Sequence, residues 1–148
     1  MIVYLMQHGI AKSEHEAAER PLATEGVDQT RAVGEWVAAR SLVSAVRIYH
    51  SGKNRARQTA ETLAGVLTLS HMVERSMNMD PNDVPSIWAE RIRGATEDIM
   101  LIGHMPHLSR LAGILLVDDP NKNLIHFVNS GIVRLSGANG RFAVDWNI

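Results

Sequence analysis

An α/β fold is the architecture this sequence predicts: a three-layer α/β/α sandwich around a mostly parallel sheet, with an antiparallel strand near its end. Three observations carry that expectation. Residues 1–6 and 98–103 are apolar runs with almost no polar alternation, which suits strands covered on both faces. Between the strand-like runs lie segments of helical periodicity, in the order strand, loop, helix, strand, helix, and that order builds parallel pairs. The runs 131–135 and 141–148 flank the turn Ala138-Asn139-Gly140, which favours an antiparallel hairpin. At 148 residues the chain suits one domain over 1–148.

The first strand comes from residues 1–6 and stops at Gln7-His8-Gly9, where polar residues and a glycine follow. Residues 10–20 are polar and acid-rich, a loop closed by Pro21. A helix is expected over 24–40, with Thr24 as N-cap and Val27, Val33, Trp36 and Val37 on its inner face. Residues 43–50 read as a second strand, ending at Ser51-Gly52 before a helix over 53–67. A short edge strand is expected around His71-Met72-Val73-Glu74. The prolines and Asx residues of 77–85 mark a loop. A helix over 85–94 follows, with Ile87, Trp88 and Ile92 inward. The run 98–103 is a second doubly covered strand and again ends at a histidine, His104. A helix over 107–116, a loop over 117–123 and strand-like runs at 124–128 and 131–135 complete the order.

Composition excludes several functions. With 15 basic and 16 acidic residues the net charge is −1, so no global field recruits nucleic acid or an anionic membrane, and any anion site is local. The absence of cysteine removes disulfides, thiolate chemistry and cysteine-based metal centres. No basic segment precedes the short N-terminal apolar run, so neither a signal peptide nor a membrane span is expected there, and a cytoplasmic location is. Among the seven histidines, His104 and His107 are three apart, but Pro106 leaves His104 ahead of the helix. With no HExxH and no carboxylate-rich companion, neither a metal site nor a cofactor is expected. His15, His71 and His126 read as loop or strand-surface residues. Met77, Met79 and Met105 read as core filling or pocket rim.

The chemistry lies in the strand ends. Gln7-His8-Gly9, His50-Ser51-Gly52 leading to Arg55, and Gly103-His104 all end buried-type strands, and in a parallel sheet such ends share one edge, where ligands bind. Two histidines and an arginine then converge. Arg55, near a helix start, adds a cation to backbone N–H groups that already favour an anion. A neutral imidazole among positive donors is what phosphoryl transfer through histidine requires.

On these residues the chain resembles the histidine phosphatase superfamily, also called the phosphoglycerate mutase-like family, and within it the SixA-type phosphohistidine phosphatases. Gln7-His8-Gly9 corresponds to the family's Arg-His-Gly. The stretch from Ser51 through Arg55-Ala56 to Gln58-Thr59-Ala60-Glu61 is similar to the branch's Ser-x-x-x-Arg-Ala-x-Gln-Thr-Ala-Glu, and Gly103-His104-Met105-Pro106 matches the second histidine. Arg20-Pro21-Leu22 with Gly26, the Pro81-Asn82-Asp83 loop and 127–133 match pieces of the branch. Each motif alone is weak; together, in order, they are specific and cover nearly the whole chain.

The resemblance implies that His8 is a transiently phosphorylated nucleophile and that Arg55 and His104 hold the phosphoryl oxygens, with Gln7, Gly9, Ser51 and Arg20 lining the substrate site. Arg20 has a second reading as a solvated loop charge. Asp83 is the candidate general acid, its alternative an Asx turn. Arg57 and Lys53 read as surface. The substrate implied is a phosphohistidine protein or a small phosphorylated molecule. One residue departs from the pattern: Gln7 stands where the family has arginine, replacing a cationic fork by a neutral amide. A weakly active or non-catalytic phospho-ligand binder is therefore an alternative, as is a small-molecule phosphomonoesterase.

Overall fold

The computed structural model describes residues 1–44 and 46–148. Its strands are β1 (Ile2–Gln7), β2 (Arg47–His50), β3 (Val73–Arg75), β4 (Ile99–Gly103), β5 (Ile132–Ala138) and β6 (Arg141–Asn147). Its helices are α1 (Thr24–Ala39), α2 (Asn54–Val66), α3 (Pro85–Gly94) and α4 (His107–Val117). The six strands form one sheet in the order β3-β2-β4-β1-β5-β6. β3, β2, β4 and β1 run parallel, β5 is antiparallel to β1, and β6 returns against β5. This is the mostly parallel α/β architecture that the strand runs predict.

The sheet divides the core because successive strand side chains point to opposite faces. Val3 and Leu5 of β1, with Ile99 and Leu101 of β4, pack under Trp88, Ile92, Leu108 and Leu111 of α3 and α4. Tyr4 and Met6, with Met100 and Ile102, pack under Val37 and Leu63 of α1 and α2. Unbroken apolar runs were the sequence sign of this double burial, and each β4 residue is buried. Gly34 lets α1 approach α2, since a Cβ there would stand 3.1 Å from Val66.

Several local expectations change. Thr24 is the first helical residue and Ala23 the cap, without a side-chain cap bond. The Ala11–Leu22 bridge and the Ala23 N–H bond to the Ile10 carbonyl hold the chain extended up to that point. The inner face of α1 is Gly26, Thr30, Gly34 and Val37, while Trp36 is 41% exposed with Arg40 stacked on its ring. β2 begins only at Arg47, the residue that pairs with Ile99 at the start of β4, so Val43 and Ser44 have no ladder; Ala45 of the expected strand lies outside the described residues. His71 and Met72 sit in a 3-10 turn ahead of β3, which forms the sheet edge. Residues 124–128 are not a strand. Ile125 and Phe127 are buried and their neighbours exposed, which reproduces strand alternation, yet the segment has no ladder partner.

Candidate active site

Register brings the two histidines together. Gln7 pairs with Gly103 across β1 and β4, so the residues that follow, His8 and His104, are neighbours at the carboxyl edge. The His8 N–H bonds the Gly103 carbonyl at 3.0 Å, and the two imidazole centroids are 5.1 Å apart, tilted by 52°. His50 pairs with Ile102 on the other side of β4, which sets Ser51 beside His104. Ser51 Oγ lies 2.7 Å from His104 Nε2.

The ring nitrogens are assigned by their partners. His8 Nδ1 is 2.7 Å from the Gly9 carbonyl, which only accepts, so Nδ1 carries the proton and Nε2 keeps its lone pair. Burial lowers the His8 proton affinity below the ordinary histidine value, with Arg55 and Arg20 adding to the effect against the Gly9 hydrogen bond. The ring is thus held neutral. His104 is buried, and burial, then the His8, Arg55 and Lys53 charges, push it down to about 3. Ser51 Oγ accepts the Lys53 N–H at 3.3 Å and pairs with His104 Nε2, and in the tautomer in which the Ser51 hydroxyl donates the His104 proton sits on Nδ1. His104 Nδ1 is then an N–H, buried and without a protein partner.

Arg55 completes the group. It is half-buried in the first turn of α2, its Nε is buried without a partner, and its charge acts on both imidazoles. Arg20 is brought in as well. Its loop is a folded-back hairpin closed by the Ala11–Leu22 bridge and the Lys12 N–H bond to the Pro21 carbonyl, with Arg20 in the left-handed region at φ 47°. Arg20 Nε donates to the Lys12 carbonyl, and its charge acts on His8 and Arg55.

Residues that lie within the matched motifs, but were given no role from sequence, fix this geometry. The Thr59 hydroxyl accepts the Gly9 N–H at 2.9 Å and donates to the Arg55 carbonyl at 2.6 Å, linking the end of β1 to α2. Asn129 Nδ2 donates to the His8 carbonyl, and the Ser130 N–H to the Gln7 carbonyl. Gln58 Oε1 accepts the Leu22 N–H, anchoring the hairpin that carries Arg20. Gly9 is closely packed: a Cβ would stand 3.0 Å from Thr30 Oγ1 and 3.1 Å from the Gly26 carbonyl, so those neighbours would have to give way slightly. Gln7, the last residue of β1, is half-buried at the same edge.

Asp83 is not among the groups around His8. Its Oδ2 accepts the Asp80 N–H at 2.8 Å and closes a turn in the loop after β3. Both aspartates line a cavity of about 280 Å³ that reaches Ser51. Among the described residues, no group of three or more His, Asp or Glu side chains is arranged to hold a metal ion, and no helix is long and apolar enough to cross a membrane.

Comparison with known proteins follows the same lines. The phosphohistidine phosphatase SixA of Escherichia coli (strain K12) is 26% identical over 150 residues, which cover 96% of this chain and 91% of that protein. The structure of the protein histidine phosphatase SixA complexed with tungstate superposes with a TM-score of 0.88 at 25% identity, covering 100% of this chain and 96% of the other. A SixA-type structure from Agrobacterium tumefaciens, at 19% identity, shares the fold with a TM-score of 0.78, covering 99% and 96% of the two chains. Residues 3–79 match the family model of the histidine phosphatase superfamily (branch 1), and the chain is a phosphatase that belongs to that superfamily.

Proposed function

We propose that this protein hydrolyses phosphohistidine through a covalent phosphoryl intermediate on His8. The observation that carries the reading is the pairing of two neutral imidazoles with the charge of Arg55, whose buried Nε has no protein partner, acting on both. His8 Nε2 has the free lone pair, so it attacks phosphorus in line as the bond from phosphorus to the substrate nitrogen breaks. The charge that develops on the equatorial oxygens meets Arg55, Arg20 and the His104 Nδ1–H, which supply electrostatic stabilisation without reorganisation. The substrate imidazole, protonated by solvent water on its other ring nitrogen, leaves as the neutral ring. Water then attacks phospho-His8, releasing phosphate and restoring the neutral ring.

A phosphoramidate suits this site better than an unactivated phosphoester. An imidazole that takes a proton is a better leaving group than an alkoxide, and the carboxylate of Asp83 is engaged within its own loop. Likeness to SixA, a phosphohistidine phosphatase whose structure holds the tetrahedral oxyanion tungstate, supports both the substrate class and the anion pocket.

Gln7 favours a second reading, a phosphatase that turns over slowly and retains its phosphorylated ligand, because a neutral amide replaces a cationic fork at the strand end. One assay separates the two: release of phosphate from a phosphohistidine protein by wild type, His8→Ala and Gln7→Arg. The catalytic reading expects turnover by wild type and none by His8→Ala. Binding without release by wild type would establish the slow, retaining alternative, and faster turnover of simple phosphomonoesters than of phosphohistidine would redirect the substrate assignment.

A further inference from the structure

The charges around this pocket are sorted by depth. Lys12, Arg20, Lys53 and Arg55 are half-buried, whereas Glu14, Glu16, Glu19 and Asp80 are exposed. With a net charge of −1 for the whole chain, this is a local arrangement and not a general acidic surface. The carboxylates sit on two separate loops. Glu14 belongs to the hairpin after β1 and Asp80 to the loop after β3, and the strand order puts β1 and β3 on opposite sides of β2 and β4.

Both loops abut the cationic floor. Glu19 Oε2 accepts a hydrogen bond from Asn54 Nδ2 at 3.0 Å, which ties the first loop to the start of α2. The second loop shares a cavity wall with Ser51. Arg55 feels the charges of Glu14 and Asp80 alike. Several acidic groups are already used: Glu16 caps Ser13, Glu19 holds Asn54, and Asp83 holds the Asp80 N–H. Among the described residues, the side chains of Glu14 and Asp80 have neither a hydrogen bond nor an ion pair. Arg75, an exposed cation lining the same cavity as Asp80, lies across Gly52, and Arg91 is held by Ser76 and the Met77 carbonyl.

An anionic floor-seeker with further negative charge meets repulsion from this rim, and one surrounded by positive charge meets attraction. We propose that the substrate is a phosphorylated polypeptide whose phosphoryl-bearing residue is flanked by lysine or arginine, with Glu14 engaging the basic side chains on one side of the pocket and Asp80 those on the other. This inference rests on the phosphohistidine reading above.

The test uses the full chain and three phosphorylated substrates: two phosphohistidine peptides that differ only in carrying lysines or glutamates beside the phosphorylated residue, and phosphoimidazole, which has no flanks. At low salt, kcat/KM is expected to be about tenfold higher for the lysine peptide, and the preference should collapse at about 0.5 M salt. Glu14→Lys should reduce by about tenfold the ratio of kcat/KM for the lysine peptide to that for phosphoimidazole, and an unchanged ratio would count against the proposal. Equal kcat/KM for the two peptides, with phosphoimidazole turned over, overturns the proposal while the phosphohistidine reading stands. Failure to turn over any of the three substrates overturns that reading, and this proposal with it.

Discussion

In the proposed mechanism, Gln7 limits how fast a pocket built on His8, Arg55 and His104 works. It ends β1 one residue before His8 and offers two neutral N–H donors where a guanidinium would add a full charge. Loss of one transition-state donor commonly costs about 10²–10³ in rate, so Gln7→Arg is expected to raise kcat on phosphohistidine by about tenfold or more. An unchanged or lower kcat would show that Gln7 is matched to a different ligand. The protonation of His8 gives a second expectation. Its proton affinity is lowered from the ordinary value of 6.5, so the attacking lone pair is free at neutral pH and is lost only on acidification. The acid limb of kcat/KM should therefore lie below pH 6.5, and a limb above that value would contradict the burial-driven shift. The strand-end residues His8, Ser51 and His104 were legible in the sequence because each follows an apolar run. The role of Thr59 was not, although the motif contains it, since its two hydrogen bonds to Gly9 and Arg55 depend on how α2 meets β1.

At the scale of elements, the hairpin after β1 and the first turns of α1 and α2 hold the pocket together. Gly26 is the tightest point: a Cβ there would overlap the backbone of Ile10, just beyond His8. Gly26→Ala is expected to destabilise the fold by about 2–3 kcal/mol, read as a lowered midpoint in urea at unchanged slope. Thr59→Val leaves the Gly9 N–H without a partner and releases Arg55 from β1. It should cost about 1–3 kcal/mol and lower kcat, and full activity would show that this link does not position Arg55. The helices and the mostly parallel character of the sheet were readable from periodicity and element order, and α3 begins and ends where its proline and glycine place it. The segment 124–128 shows the opposite case, since burial of Ile125 and Phe127 alternates as in a strand while no neighbouring strand is there to pair with it. Arg20 was ambiguous for a related reason. Its place depends on the Ala11–Leu22 bridge, a pairing outside the main sheet that local sequence does not announce.

For the whole molecule, the buried histidines link stability to pH. His8, His50, His104 and His107 all have lowered proton affinity, chiefly from burial, so the unfolded chain binds more protons than the folded one as pH falls below 6.5. Their contribution is intact above that value and is lost on acidification towards the folded values. His104, pushed down to about 3, alone removes about 2 kcal/mol by about pH 5. Urea midpoints should accordingly fall between neutral pH and about pH 5, and a midpoint independent of pH over that window would contradict the neutral, buried state of these rings. The same arrangement that makes the fold acid-sensitive keeps the His8 lone pair free, and the proposed mechanism turns on its attack. It is tested most directly by quenching a single turnover of a phosphohistidine protein in alkali and locating the phosphoryl group by mass spectrometry. An acid-labile phosphoryl group on His8, absent in His8→Ala, is the expected result. Phosphate release with His8 unmodified throughout, or a label on another residue, would contradict it.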